Sequence, residues 1–375
     1  MKIGIIGGGQ LGRMMAEANI RKNLGLNFIV LDPTENCPAA QIQGVSQIVG
    51  DFKNEDKIRQ LASEVDILTF EIELANSQIL KEIEDSGVIV APSPNALYII
   101  QDKLRQKSFL QKNNLPVGEF MPINSREELI QGLREYGFPS MLKASQDSYD
   151  GRGNYLIKTS ADIDEALSKF EGRTLMLEKF VNFDKEISVI AARDFKGNVA
   201  TYPVAENEHI DSQLNITIAP ANIPQELKQK AEEIARKTME IFDGAGVFGI
   251  EMFLRPTGEI LINEMAPRVH NSGHHTIEGN NTCQFEQHLR AISEMPLGDT
   301  DQKQDVIMCN ILGGNDFQGT YDIEGTDKLP EGTGLHMYGK TSKPKRKLGH
   351  ITIPTTNVAY AKEVRDIIRL TENEG

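Results

Sequence analysis

Glu251 and Glu264 lie in a stretch that reads as a β-hairpin: Phe248–Leu254, the turn Arg255-Pro256-Thr257-Gly258, then Glu259–Glu264. A turn closed around Pro256-Thr257 pairs Glu251 with Ile262. Glu264 then falls two residues further along the same face, a diagonal neighbour roughly 7–8 Å away at the backbone. A carboxylate in an otherwise apolar strand is costly unless it is paired or bound to a cation. Two converging carboxylates suit a hard cation such as Mg2+, held together with substrate phosphates. An exposed face carrying two solvated glutamates would explain the bare pair equally well, so other residues must decide.

Lys143 ends the apolar run Met141-Leu142, where it can reach a phosphate as a point charge. The glycine-rich Ser148-Tyr149-Asp150-Gly151-Arg152-Gly153-Asn154 follows, with backbone N–H groups suited to capping phosphate and the composition of a closing loop. Leu177-Glu178-Lys179-Phe180-Val181, then Glu186, reads as a strand exit that can hold an adenine edge and a ribose. Near the N-terminus, Gly7-Gly8-Gly9-Gln10-Leu11-Gly12 matches G-x-G-x-x-G, with Asp32 about 20 residues later. On its own this turn admits a nicotinamide or flavin dinucleotide, or a strand-to-helix turn that binds something else. His270, His274, His275 and Cys283 are a second possible metal set, as zinc ligands, although the glycine and asparagine between them suggest a loop.

The elements that must carry these residues follow from apolar patterning. Runs at Lys2–Ile6, Asn27–Leu31, Asp66–Phe70 and Val88–Val90 alternate with helical stretches, as in a parallel sheet flanked by helices. Ser93-Pro94 reads as the N-cap and first position of a helix running to about Asn113. From Gly118 the pattern becomes α+β. Strands are expected at Pro139–Ala144, Thr174–Phe180, Glu186–Arg193, Asn198–Ala205 and Val306–Leu312, and helices at Glu226–Phe242 and near Ala361–Leu370. The fold class is mixed α/β and α+β: a Rossmann-like domain over 1–98, a two-lobed domain over 99–300 (small lobe about 118–180, loop 147–154), and a C-terminal domain over 301–375.

The chain has 375 residues and a formal net charge of −14. That balance argues against non-specific binding to nucleic acid or anionic membranes. No apolar run is long enough to span a membrane, and three scattered cysteines fit a reducing cytoplasm. An anionic substrate needs a locally basic site, and Lys340, Lys343, Lys345, Arg346 and Lys347 form the densest basic run.

In this order, the pieces resemble the ATP-grasp superfamily over nearly the whole chain. Within it, Asn263-Glu264-Met265-Ala266-Pro267-Arg268-Val269-His270-Asn271-Ser272-Gly273-His274 is the most specific stretch. With Gln284-Phe285-Glu286, His288 and Arg290 downstream, and with Gly9–Met14, Tyr149–Gly153 and Arg346–His350, it resembles the N5-carboxyaminoimidazole ribonucleotide synthetase family. Three departures are visible: Ala266 where many ATP-grasp proteins have asparagine, Ser148 for glycine, and Asn154 for glutamine.

The resemblance implies that ATP, bicarbonate and 5-aminoimidazole ribonucleotide give the N5-carbamate, ADP and phosphate through carboxyphosphate, in purine biosynthesis. It implies Mg2+, with Mn2+ as a possible substitute, on Glu251 and Glu264. It assigns the nucleotide to Lys103, Lys143, Ser148–Asn154, Glu178, Lys179, Phe180, Val181, Glu186, His209, Asn263 and Glu264. The ribonucleotide falls to Gln10, Leu11, Glu73, Tyr149, Arg152, Arg268, His270, Asn271, Ser272, Arg346 and Lys347, and catalysis to Arg268, His270, Asp150 and Arg152. A homodimer is also implied. The rivals are a formate-using glycinamide ribonucleotide transformylase of the same superfamily and, more remotely, an NAD-dependent oxidoreductase.

Overall fold

The apolar runs at the N-terminus form a five-stranded parallel sheet in a computed structural model that describes residues 1–146 and 153–373. Its order is Val45–Val49, Asn27–Asp32, Lys2–Ile6, Ile67–Phe70 and Ile89–Val90. The three inner strands are buried on both faces, as helix-covered parallel strands must be. Val45–Val49 was not among the expected strands. It is a half-exposed edge with Ser46 and Gln47 at its centre, so it lacks the apolar run that betrays a buried strand.

The single helix expected from Pro94 to Asn113 is two. Ser93 caps Pro94–Ile100, and the chain then re-caps at Asp102, whose Oδ1 accepts from Arg105 N at 2.9 Å to begin Lys103–Lys112. An aspartate that can bond the backbone three residues on favours a new helix start over continuation of the old one.

A small four-stranded antiparallel sheet follows, ordered Phe120–Ile123, Leu175–Lys179, Ser140–Ala144 and Asn154–Ile157. Helices Arg126–Tyr136 and Ile163–Lys169 close its core around Leu129, Leu142 and Leu177. A much larger antiparallel sheet runs Ile260–Ala266, Gly246–Leu254, Lys185–Arg193, Ala205–Ile210, Gln213–Ala219, Val306–Leu312, Lys347–Ile353 and Gly334–Met337, with Val199–Thr201 beside Lys185–Arg193. The expected strand Asn198–Ala205 is thus split in two around Pro203, which has no N–H to give a ladder. The C-terminal strands extend the same sheet that carries Glu251 and Glu264. The last helix is Val358–Arg365, earlier than expected, and Arg369–Glu372 is a strand paired with Tyr321–Glu324.

The hairpin also differs from its simplest reading. Gly258, at φ +78, closes a three-residue loop in which Arg255 N donates to Glu259 O at 2.9 Å. A left-handed glycine after a tight turn is the usual basis of such loops. The register slips again at Asn263, the extra residue of a bulge, so that Glu251 faces Glu264 directly rather than diagonally.

Val306–Leu312 is buried over all but its last residue, between Gln213–Ala219 and Lys347–Ile353. Ile307→Ala empties a fully enclosed position there and is expected to cost about 2–5 kcal/mol. The readout is an earlier urea midpoint at unchanged slope. An unchanged midpoint would contradict this packing.

Candidate active site

Two like carboxylates face each other across one strand pair, and the groups around them determine what each can do. Lys103 Nζ bonds Glu264 Oε2, and its charge holds the Glu264 carboxyl well below the usual range. Among the described residues Glu251 has no such cation on it. Burial and then the Glu264 charge raise it, and His270 Nε2 is 3.8 Å from its Oε1. Burial and the neighbouring Arg268 charge depress His270 to about 3, leaving the imidazole neutral. Its Nδ1 lies 2.9 Å from Ser272 Oγ, so Nε2 is the nitrogen turned toward Glu251.

The short segment after Glu264 is held by two buried amides, Gln284 from the downstream stretch that shares in the family resemblance and Asn310, which the sequence did not single out. Gln284 accepts from His270 N at 2.9 Å and donates to His270 O at 2.7 Å. Asn310 exchanges hydrogen bonds of 2.8 and 3.1 Å with Asn271, so the Asn271 carboxamide is bound to the large sheet. Ser272 is fully buried behind His270 and does not line the cavity. Arg268 turns the other way and meets Glu73 at 2.8 Å, while Gln101 fixes the Glu73 loop through the carbonyls of Glu73 and Ala75.

These residues open on one cavity of about 1110 Å³. Lys103, Glu251, Glu264, Arg268 and His270 line one side. Gln10, Leu11, Glu73, Lys340, Arg346 and Lys347 line another. Lys340, which burial lowers to about 8, donates to Gln10 Oε1 and so joins the C-terminal basic run to the glycine turn. Arg346 bonds the backbone and hydroxyl of Thr341.

The glycine turn offers its donors inward. Gly9 N donates to Glu71 Oε1, Gly12 N to Glu71 Oε2 at 2.6 Å, and Gly8 N to Asp32 Oδ2 at 2.9 Å. Gly7 turns at φ +95, and a Cβ there would strike Glu71. The positions a dinucleotide phosphate needs are therefore taken by the chain's own carboxylates.

A second charged cluster lies on the small sheet. Lys143 Nζ is 2.8 Å from Glu178 Oε2, and Lys107 Nζ is 3.3 Å from Oε1. Although burial opposes its charge, the two lysines hold Glu178 at about 2. Lys107 escaped the sequence reading, yet it stands four residues after Lys103 on one helix face. Asp102 was also missed. Its Oδ2 accepts from Ser145 Oγ at 3.1 Å and Gln146 Nε2 at 2.8 Å, which anchors the entry to the glycine loop. Ser148, Tyr149, Asp150, Gly151 and Arg152 lie outside the described residues. Gly153 and Asn154 close the loop, where Ala144 N donates to Gly153 O at 2.9 Å and Asn154 pairs with Lys143. On the large sheet, His209 Nδ1 meets Glu186 Oε2. Burial opposes the His209 charge, but Glu186 outweighs it and raises the group. Lys179 and Phe180 are exposed, and the Lys179 ammonium sits on Glu119 at 2.6 Å.

Among the described residues no group of three or more His, Cys, Asp or Glu side chains is placed to hold a metal. Glu251 and Glu264 offer two carboxylates, a donor set for a hard cation completed by substrate oxygens. All three cysteines are unpaired and buried. Among the described residues no helix is long and apolar enough to cross a membrane.

Two antiparallel lobes, buried lysines on carboxylates and a glycine-loop entry between them define an ATP-grasp protein. The ATP-grasp domain model matches residues 108–285, flanked by the ribonucleotide synthetase preATP-grasp domain over 1–101 and the phosphoribosylaminoimidazole carboxylase C-terminal domain over 306–364. The N5-carboxyaminoimidazole ribonucleotide synthase of Bacillus subtilis is 37% identical over 93% of this chain and 90% of its own length. Among solved structures, the N5-carboxyaminoimidazole ribonucleotide synthetase of Thermotoga maritima is 41% identical, with a TM-score of 0.89 and 99% of each chain covered. The N5-carboxyaminoimidazole synthase of Aspergillus clavatus, in complex with ADP and 5-aminoimidazole ribonucleotide, is 37% identical, with a TM-score of 0.87 and 98% and 97% of the two chains covered. The chain belongs to the N5-carboxyaminoimidazole ribonucleotide synthase family. It spans 63–69% of the length of the fungal phosphoribosylaminoimidazole carboxylases that it also matches.

The Glu178 carboxyl is held far below its ordinary value, so its stabilisation is complete above about pH 4.5 and is lost as pH falls toward 2. Glu178→Gln should therefore lower stability near neutrality by on the order of 3 kcal/mol. The gap between variant and parent should narrow as acid is added, and urea midpoints across that range measure it. A gap independent of pH would disprove the charge account.

Proposed function

We propose that this chain carboxylates the exocyclic amine of 5-aminoimidazole ribonucleotide, using ATP and bicarbonate and releasing ADP and phosphate, in purine biosynthesis. The observation that carries this reading is the common cavity. The opposed pair Glu251–Glu264 and the Arg268–His270 segment open on the same space as Gln10, Glu73 and the basic residues Lys340, Arg346 and Lys347.

Bicarbonate is a poor electrophile, and phosphorylation to carboxyphosphate activates its carbon. In this reading Glu251 and Glu264 would hold Mg2+, or Mn2+ in its place. When bound, such an ion neutralises charge on the phosphate oxygens. Lys103 and Lys143 bind the phosphates, Ser148–Asn154 covers them, and Glu178–Val181, Glu186 and His209 hold the nucleoside. Asn263, the bulge residue, brings Glu264 into line with Glu251.

Arg268, held on Glu73, supplies a fixed positive charge to the same cavity for the acyl phosphate. His270, neutral and tied at Nδ1, presents Nε2 as an uncharged polar group to the same space. Gln10, Leu11, Glu73, Asn271, Arg346 and Lys347 receive the ribonucleotide, with Ser272 supporting the wall from behind. Asp150 and Arg152 belong to the same proposal as residues that act on the reacting groups. A homodimer and a cytoplasmic location complete it, the latter resting on three unpaired cysteines.

ADP release should require bicarbonate and 5-aminoimidazole ribonucleotide together. A rate that is equal in bicarbonate-free buffer would sink the proposal. Glu264→Ala, with its fold checked by circular dichroism, should lower kcat by roughly 10²–10³-fold. Arg346→Ala should raise KM for the ribonucleotide about tenfold while leaving KM for ATP in place. An equal rise in both constants would remove Arg346 from the ribonucleotide side.

A further inference from the structure

The set Lys107, Glu178 and Lys143 carries one more cation than it has carboxylates. All three side chains are withdrawn from water, at 4%, 6% and 7% exposure. A buried surplus charge is costly unless an anion comes to it. The two lysines are not equivalent. Lys143 is the next-to-last residue of Ser140–Ala144, and Ser145 and Gln146 just beyond that strand line the cavity. Lys107 lies on the helix Lys103–Lys112, whose start is pinned by Asp102 to those same residues and by Lys103 to Glu264.

We propose that Lys107 is the resident counter-ion of Glu178, a positioning residue that frees Lys143 to leave this carboxylate for the phosphates of the nucleotide. The proposal deepens the ATP reading above and rests on it. If Lys143 departed and Lys107 were absent, Glu178 would be a lone buried carboxylate, and Lys143 would be held back by it. With Lys107 in place the exchange leaves an ion pair behind. Among the described residues the charged groups facing Glu178 are few. Lys143 comes from Ser140–Ala144, and Lys107, with Lys103 farther off, from the helix. The neighbouring strand Phe120–Ile123 has no charged residue. Lys107 is itself depressed by burial and by the charges of Lys143 and Lys103. Departure of Lys143 removes one of those repulsions and makes the Lys107 charge firmer.

The test is ATP binding to Lys107→Met by calorimetry between about pH 6 and pH 8, in buffers of differing ionisation enthalpy. The variant should bind ATP about tenfold more weakly near the upper limit. The deficit should shrink toward the lower limit, because Glu178 can then take up a proton as Lys143 leaves. Proton uptake per ATP should accordingly exceed that of the parent, with KM for the ribonucleotide unchanged within roughly twofold. ATP affinity equal to the parent's, or a deficit of the same size at every pH, would overturn the proposal, the latter marking a packing defect. A parent chain that binds no ATP would overturn the functional reading as well, whereas the first two outcomes leave that reading standing. A crystal structure of the parent with ADP needs no variant. Lys143 Nζ should sit on a phosphate oxygen with Lys107 Nζ still on Glu178, and Lys143 remaining on Glu178 would refute the exchange.

Discussion

Setting two carboxylates directly opposite each other on paired strands is unfavourable by itself, because like charges at that spacing repel and burial weakens their hydration. Much of the neighbouring structure is a response to that placement. The bulge at Asn263 creates the opposition. The helix break at Asp102 starts a helix whose first residue, Lys103, reaches Glu264. Glu251, without an equivalent cation among the described residues, is the group through which the cost appears, as a raised carboxyl. The pair is stable as it stands because one member is neutralised, and it is receptive to a divalent cation because the other is not. The Glu178 cluster inverts the balance, with two cations on one carboxylate. The single helix Lys103–Lys112 serves both, placing Lys103 and Lys107 on one face at a spacing of four residues.

The parts of this arrangement that were legible in the sequence are those written in local chemistry. Continuous apolar runs marked the inner strands of the parallel sheet, and the exposed edge Val45–Val49 had no such mark. Glu251, Lys143, Glu178 and Arg268 stood out as charges in or just after apolar strands. The hairpin itself was legible, but its register was not. A two-residue loop was the simplest closure, whereas the left-handed Gly258 adds one residue and Asn263 a second. Each one-residue change in register alters which side chains face each other. Similarly, Pro94 announced a helix clearly, but the power of Asp102 to restart it depended on Ser145 and Gln146 arriving from another strand to share its carboxylate.

What remained hidden is made of long-range, uncharged partnerships. Gln284 lies fourteen residues beyond His270, and Asn310 thirty-nine beyond Asn271. Gln284 stands in a stretch that shares in the family resemblance and Asn310 inside an apolar strand, but neither neighbourhood names the distant partner. Buried, these amides satisfy backbone and side-chain groups that would otherwise be orphaned at substantial cost, and so they fix a loop that has no regular structure of its own. Asn271 belongs to the most specific stretch of the chain and lines the cavity, and its carboxamide is held in place by Asn310 of the large sheet.

The glycine turn shows the same logic working in reverse. G-x-G-x-x-G followed by Asp32 is a competent anion site in isolation, with three N–H groups at the end of a strand and the start of a helix. In this chain Glu71 and Asp32 occupy those donors from within, and Gly7 is kept open by the close approach of Glu71. A carboxylate that meets these donors leaves no place there for a pyrophosphate. The turn is also stiffened by being satisfied, so that Gln10 and Leu11 present a fixed edge to the cavity, and Lys340 reaches that edge from the far end of the chain. The motif therefore retains its geometry while its electrostatic function has been internalised. What was a phosphate cradle by pattern acts here as one wall of a site whose cations come from elsewhere, from Arg268, Lys340 and Arg346.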